Sequence, residues 1–200
     1  MDRTDSGASP FGFSLIELLF VTATIATLSA VAVPGILATI DDVRTIGAVR
    51  YLSTKLQRVR MQAVVRSSNA GLRFVSSAGG YTYTVYVDGN ANGVRTADIT
   101  RGIDRELMPL ERLPDLFRGV DFGLVPGLPP VDPGSPAPGS DPIKIGSTDI
   151  LSFSAIGTST PGSLYIRGPR GVQYVIRVFG DSAKTRILRF DPRARRWSPL

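Results

Sequence analysis

The stretch Gly12-Phe13-Ser14-Leu15-Ile16-Glu17-Leu18-Leu19 opens a nearly uninterrupted apolar run that continues to Ile40. It places one carboxylate, Glu17, inside a segment otherwise suited to lipid. An ionisable side chain at membrane depth costs roughly 2.5–3.5 kcal/mol on insertion scales, so it marks a function that needs a partner. Phe13 to Ile40 is 28 residues, about 42 Å as a helix at 1.5 Å per residue, enough to cross a hydrocarbon core of ~30 Å. Asp41 and Asp42 close the run on the far side. Pro34 removes a backbone donor and clashes with the preceding turn, and Gly35 lowers helix propensity further. Residues 1–12 are polar, with one Arg against two Asp. A secretory signal peptide has a basic start and a small-residue cleavage site after its apolar core, whereas this leader is not basic and its candidate cut, after Gly12, lies before the core. A standard signal-peptidase substrate is the competing reading.

Gly12, Phe13 and Glu17 resemble the N-terminus of type IV prepilins and pseudopilins. The resemblance implies that a prepilin peptidase cuts between Gly12 and Phe13, and that Phe13 is then N-methylated. Glu17 becomes the fifth residue of the mature chain, and Pro34 falls where many members carry a helix-loosening proline. It also implies a single-pass protein of the bacterial inner membrane with its bulk in the periplasm, destined for a filament. In such filaments the glutamate is thought to pair with the N-terminal ammonium of a neighbouring subunit. That is physically sound, because a cation relieves the cost of a carboxylate in apolar surroundings.

Beyond Pro34 the apolar residues Ile36, Ile40, Val43, Ile46, Val49, Leu52, Leu56, Val59 and Ala63 recur at steps of three or four. Such a stripe predicts an amphipathic helix, giving one helix from about Ser14 to Val65. Arg44, Arg50, Lys55, Arg58 and Arg66 fall outside the stripe. The helix end, with Arg60 to Ala63 leading to Gly71-Leu-Arg-Phe, resembles the GspH/FimT group of minor pilins and pseudopilins. From Gly71 the pattern turns to strands: Tyr81–Val87 alternates, and Ile150–Ser154, Ser163–Arg167, Val172–Phe179 and Thr185–Phe190 follow. Gly79-Gly80, Pro161-Gly162 and Gly168–Gly171 supply turns. The expected class is α+β, a long N-terminal helix packed on a C-terminal antiparallel sheet. The expected division is a leader at 1–12, an apolar helix half at 13–40, an amphipathic half at 41–66 and a β-rich domain at 67–200. Within that domain 10 of the 17 residues from Pro126 to Pro142 are Pro or Gly, the composition of an exposed, mobile insertion.

The chain has no Cys and no His, which removes disulfides, thiolate metal sites and the commonest general base. No nucleophile-elbow or phosphate-cradling pattern stands out, so the reading is structural, not enzymatic. The 23 basic side chains are 20 Arg and 3 Lys, and residues 41–200 hold 22 of them against 14 acidic ones. A basic surface, or a polyanion partner such as nucleic acid or anionic lipid, accounts for this balance.

Asp88-Gly-Asn-Ala-Asn-Gly opens like a calcium loop, and Asp88, Asn90, Asn92 and Asp98 are its candidate ligands. The twelfth position is Ile99, however, and Asp98 stands at the eleventh, so a turn held by Asx hydrogen bonds is the competing reading. The same run recurs in the GspH/FimT group. Near the C-terminus Lys184, Arg186, Arg189, Arg193, Arg195 and Arg196, with Trp197 beside them, suit phosphates and a stacking base. Ala183-Lys184-Thr185-Arg186 is similar to a Gly-Arg-x-Arg motif of DNA-uptake pilins but lacks its Gly. The alternative is a terminal strand pair with a solvated basic face and Trp197 capping the core. The resemblance as a whole implies a minor subunit of a type II secretion pseudopilus or a type IV pilus, at or near the tip. Its expected partners are prepilin peptidase, other pilin subunits, membrane lipid before assembly, and secreted substrates or DNA.

Overall fold

The expected helix is present as α1, Leu15–Val65, in the computed structural model, which describes residues 14–200. The chain divides into two units at Thr39/Ile40, and α1 contributes to both. In the first unit the described residues of α1 are exposed along their whole length, and an 18-residue window has a mean hydropathy of 2.0. By length and composition this helix can cross a membrane. Its threonines hide their hydroxyls in the helix itself: Thr22 donates to Leu18 O, Thr24 to Phe20 O, Thr27 to Ala23 O and Thr39 to Gly35 O. Internal donation of this kind leaves none of these four hydroxyls unsatisfied in lipid.

The second unit wraps the rest of α1. Val49, Leu52, Leu56, Val59 and Ala63 of the expected stripe are buried, whereas Val43 remains 62% exposed. The burial stripe therefore begins at Thr45 and Ala48. Lys55 belongs to this buried face, contrary to its expected place outside the stripe. Its Nζ pairs with Glu111, which also accepts hydrogen bonds from the hydroxyls of Tyr51 (2.8 Å) and Tyr83 (3.1 Å).

Among the described residues, ten strands form two antiparallel sheets. In the first, β1 (Ala70–Ser77) pairs with β2 (Gly80–Val87), β2 with β3 (Arg105–Arg112), and β1 with β6 (Ile150–Phe153). In the second, β7 (Gly162–Arg167), β8 (Gln173–Val178), β9 (Thr185–Asp191) and β10 (Arg196–Pro199) pair in sequence. Short β4 (Asp121–Phe122) and β5 (Ile143–Ile145) both add to β7. Helices α2 (Thr96–Thr100) and α3 (Leu113–Leu116) are single turns. Alternate residues of both sheets, among them Leu72, Phe74, Tyr83, Leu151, Leu164, Ile166, Tyr174 and Ile176, close one core over the buried stripe of α1. The alternating tyrosines of β2 thus serve the core.

One turn explains its glycine. Gly168, between β7 and β8, lies so close to α1 that a Cβ there would stand 2.0 Å from Thr45 Oγ1. The second sheet is seated on the first domain turn of α1 through this contact. On its other face, Tyr165, Val175 and Leu188 form a second apolar cluster with Leu128, Val131 and Trp197. The Pro/Gly-rich segment 126–142 is therefore a cover and not a loose insertion. Trp197 Nε1 donates to Pro129 O (3.0 Å), and Arg177 grips Asp132 (2.7 Å). A chain rich in Pro gives up little entropy when it is laid on a sheet.

Candidate functional site

Glu17 occupies the first turn of α1, fully within the apolar segment. An anion there is favoured by the positive end of the helix dipole. Among the described residues it makes no ion pair. Gly12 and Phe13, the expected processing residues, lie outside the described residues. Pro34 is inside α1, which continues through it. Its ring cannot donate to Ala30 O, so one rung of the helix ladder is missing in the middle of the apolar segment.

Where α1 enters the second unit, two carboxylates bind it to the sheet. Asp41 pairs with Arg170 of the β7–β8 turn (3.3 Å) and with Arg44 (3.8 Å). Asp42 accepts from Arg189 of β9 (3.0 Å). Further along α1, Ser53 and Gln57 meet Thr185 at the other end of β9 (3.3 and 3.1 Å). The helix therefore runs along β9 from its C-terminal to its N-terminal end.

That geometry divides the six candidate DNA-binding cations. Lys184 and Arg186 are exposed at the start of β9, beside the helix residues 53–57. Arg189, Arg193, Arg195 and Arg196 are exposed at its finish and in the turn to β10, the end at which Arg189 pairs with Asp42. Trp197 packs between Tyr165 and Phe190 (ring centroids 6.1 and 5.4 Å). Its indole is thus half-buried as a cap on the outer cluster.

The loop after β2 brings Asp88, Asn92 and Asp98 together, and adds Asp104, which the sequence pattern did not single out. Asp88 accepts from the backbone of Asn90 (3.1 Å) and Gly93 (2.7 Å) and from the Asn69 amide (2.8 Å). Burial pushes the Asp88 carboxyl up, but these hydrogen bonds outweigh it and hold it below the usual carboxylate range. Asn90 accepts from Asn92 N (3.4 Å), Asn92 donates to Asp98 (3.0 Å), and Asp104 accepts from the backbone of Gly89 (3.1 Å) and Arg95 (2.9 Å). Side-chain oxygens facing backbone N–H groups make an Asx-held turn. Among the described residues no group of three or more acidic side chains has metal-binding geometry.

No protein-family model matches the chain. It is 37% identical over 82 residues to the pilin-like protein PilA1 of Thermus thermophilus, a match covering 40% of this chain and 50% of the relative. The chain thus spans about half the length of that curated relative. Among solved structures it is similar to the minor pseudopilin EpsH from the Type 2 Secretion System of Vibrio cholerae, with a TM-score of 0.43 and 15% identity over 72% of this chain and 94% of that one. The sequence match and the glutamate-bearing apolar helix that leads into an antiparallel β domain make the chain similar to proteins of the type IV pilin and pseudopilin superfamily.

Proposed function

We propose that the chain is the precursor of a minor pilin or pseudopilin, cut by prepilin peptidase between Gly12 and Phe13 and then built into a filament from the bacterial inner membrane. The observation that carries this reading is Glu17 in the first turn of an exposed apolar helix. A carboxylate there is unfavourable in lipid unless a cation meets it, and the new N-terminal ammonium of an adjacent subunit is such a cation. Pairing selects one axial register, so Glu17 acts as a docking gauge. The exposed apolar side chains then exchange lipid for neighbouring helices, and the missing rung at Pro34 lets the helix adjust to its packing. The β domain presents its surface to other subunits or to cargo. Its chemistry is that of a structural part, and its filament is a type II secretion pseudopilus or a type IV pilus, with the subunit at or near the tip.

The test is Glu17→Ala in cells that assemble the filament. Processing at Gly12 should continue, because the cut precedes Phe13 and Glu17 follows four residues later in the sequence. Recovery of the subunit in sheared filaments should fall roughly tenfold or more, the scale of one lost charge-assisted pair. Undiminished incorporation rejects the docking role.

A further inference from the structure

We infer that the end of the β domain at which α1 enters is a basic collar that seats on the anionic phospholipid headgroups of the membrane. The inference rests on the reading of residues 15–40 as membrane-anchored. Strand register brings together at one end of the second sheet residues that lie far apart in the sequence. Arg167 ends β7 opposite Gln173 of β8 and Asp121 of β4. Arg196 begins β10 opposite Asp191 of β9, with Arg193 and Arg195 in the turn between them. Arg118 precedes Gly119, which abuts Pro169 of the β7–β8 turn. The same turn holds Arg170, paired with Asp41 of α1. Asp41 follows Ile40 directly, so its pair with Arg170 and that of Asp42 with Arg189 put this end of the sheet where the apolar run stops.

The nearby carboxylates are already engaged, Asp121 by the backbone N–H of Phe122 (2.7 Å). Asp41 and Asp42 pair with Arg44, Arg170 and Arg189, and Asp191 accepts from the backbone of Arg193 and Ala194 (2.8 and 3.2 Å). By contrast Arg118, Arg167, Arg193, Arg195 and Arg196 are exposed and form no salt bridge among the described residues. Covalent attachment keeps the end of a membrane segment at headgroup depth, where an anionic leaflet attracts basic groups within a Debye length. Guanidinium groups bind phosphate oxygens in bidentate fashion, which suits arginine to this position. A seated collar would hold the domain close to the bilayer until a neighbouring subunit takes over.

Trp197, the single tryptophan of the chain, adjoins Arg196 and reports on this end. The full chain is reconstituted into vesicles of phosphatidylcholine alone or with phosphatidylglycerol, each containing a nitroxide-headgroup lipid that quenches tryptophan. Quenching should be stronger with phosphatidylglycerol, and the difference should vanish at high salt. An Arg167→Gln/Arg193→Gln/Arg195→Gln variant should lose roughly half or more of that difference, as three of the headgroup attractions go. A Lys184→Gln/Arg186→Gln variant, altered at the opposite end of β9, should keep it. Equal quenching in both lipids overturns the collar, as does an equal loss in both variants. So does a salt-sensitive gel shift of duplex DNA that the triple variant abolishes while the lipid difference persists in it. If alkaline carbonate releases the chain from the vesicles, the anchoring reading itself fails, and the collar with it.

Discussion

At the scale of single residues the strongest commitment of the β domain is the pair Lys55–Glu111. Lys55 is 7% exposed on the buried face of α1, and Glu111 lies on the edge strand β3. Burial alone would push the Glu111 carboxyl up, but hydrogen bonds from Lys55, Tyr51 and Tyr83 and the charge of Lys55 hold it below the ordinary value. Burial and then Glu111 itself push the Tyr51 hydroxyl up to about 12, so it stays a donor. Glu111→Leu leaves a buried ammonium unpaired and strips two phenols of their acceptor, and should cost about 3–5 kcal/mol in urea denaturation. Lys55→Met in addition should recover a large part of that loss, because no charge is then stranded. The pH dependence follows from the direction of the shift. A carboxyl depressed by folding contributes its stability fully above its unfolded pKa, about 4.3. That contribution drains away as pH falls through the lower folded value. The wild-type chain should therefore lose stability more steeply than Glu111→Leu in acid below about pH 4.

At the scale of elements, α1 was legible almost to the residue, because apolar character and 3.6-residue spacing are local properties of the sequence. The strands β2 and β6 to β9 were legible from alternation and β-branched residues, whereas β1 entered only through the resemblance carried by Gly71-Leu-Arg-Phe. The edge strand β3 was not: Pro109 in its middle and charges at both ends disguise it, which are the features that keep an edge from pairing with another chain. β4 and β5 run for two and three residues, too short for any period to register. Composition marks the segment 126–142 as mobile, but composition says nothing of where its few apolar side chains go. Leu128 and Val131 lie on the outer face of the second sheet, where Tyr165, Val175 and Leu188 need cover. Excising 126–142 and closing the gap with a short Gly-Ser linker should therefore do more than shorten a loop. Dye binding to exposed apolar surface should rise, and the thermal midpoint should drop by roughly 5 °C or more, as about 2 kcal/mol of burial is lost. An unchanged midpoint would show the segment to be dispensable and its contacts incidental.

At the scale of the whole molecule, the division at Thr39/Ile40 separates two tasks with different physics. The described residues of the first unit are exposed, and by length and composition they suit lipid or a neighbouring helix. Among the described residues all the core side chains belong to the second unit, where the buried stripe of α1 from Thr45 to Ala63 is as much a part of the domain as any strand. The candidate sites follow the same logic. Glu17 and Pro34 were legible because a charge and an imino acid stand out in an apolar run. That Arg118 and Arg167 join Arg193, Arg195 and Arg196 was not, because strand register sets this grouping over long sequence separations. The division predicts that residues 40–200 alone form a folding unit. Expressed without the first 39 residues, this fragment should stay in the supernatant after ultracentrifugation and unfold in one cooperative transition by circular dichroism. Starting the fragment at Val65 instead removes Val49, Leu52, Leu56 and Val59 from beneath both sheets. That shorter piece should show no cooperative transition, since the loss of four buried aliphatic side chains, at about 1.5–3 kcal/mol each, equals the whole stability of a typical domain. A cooperative transition in the shorter piece would mean that the sheets close a core without α1, and that the helix is a tether to the domain and not its centre.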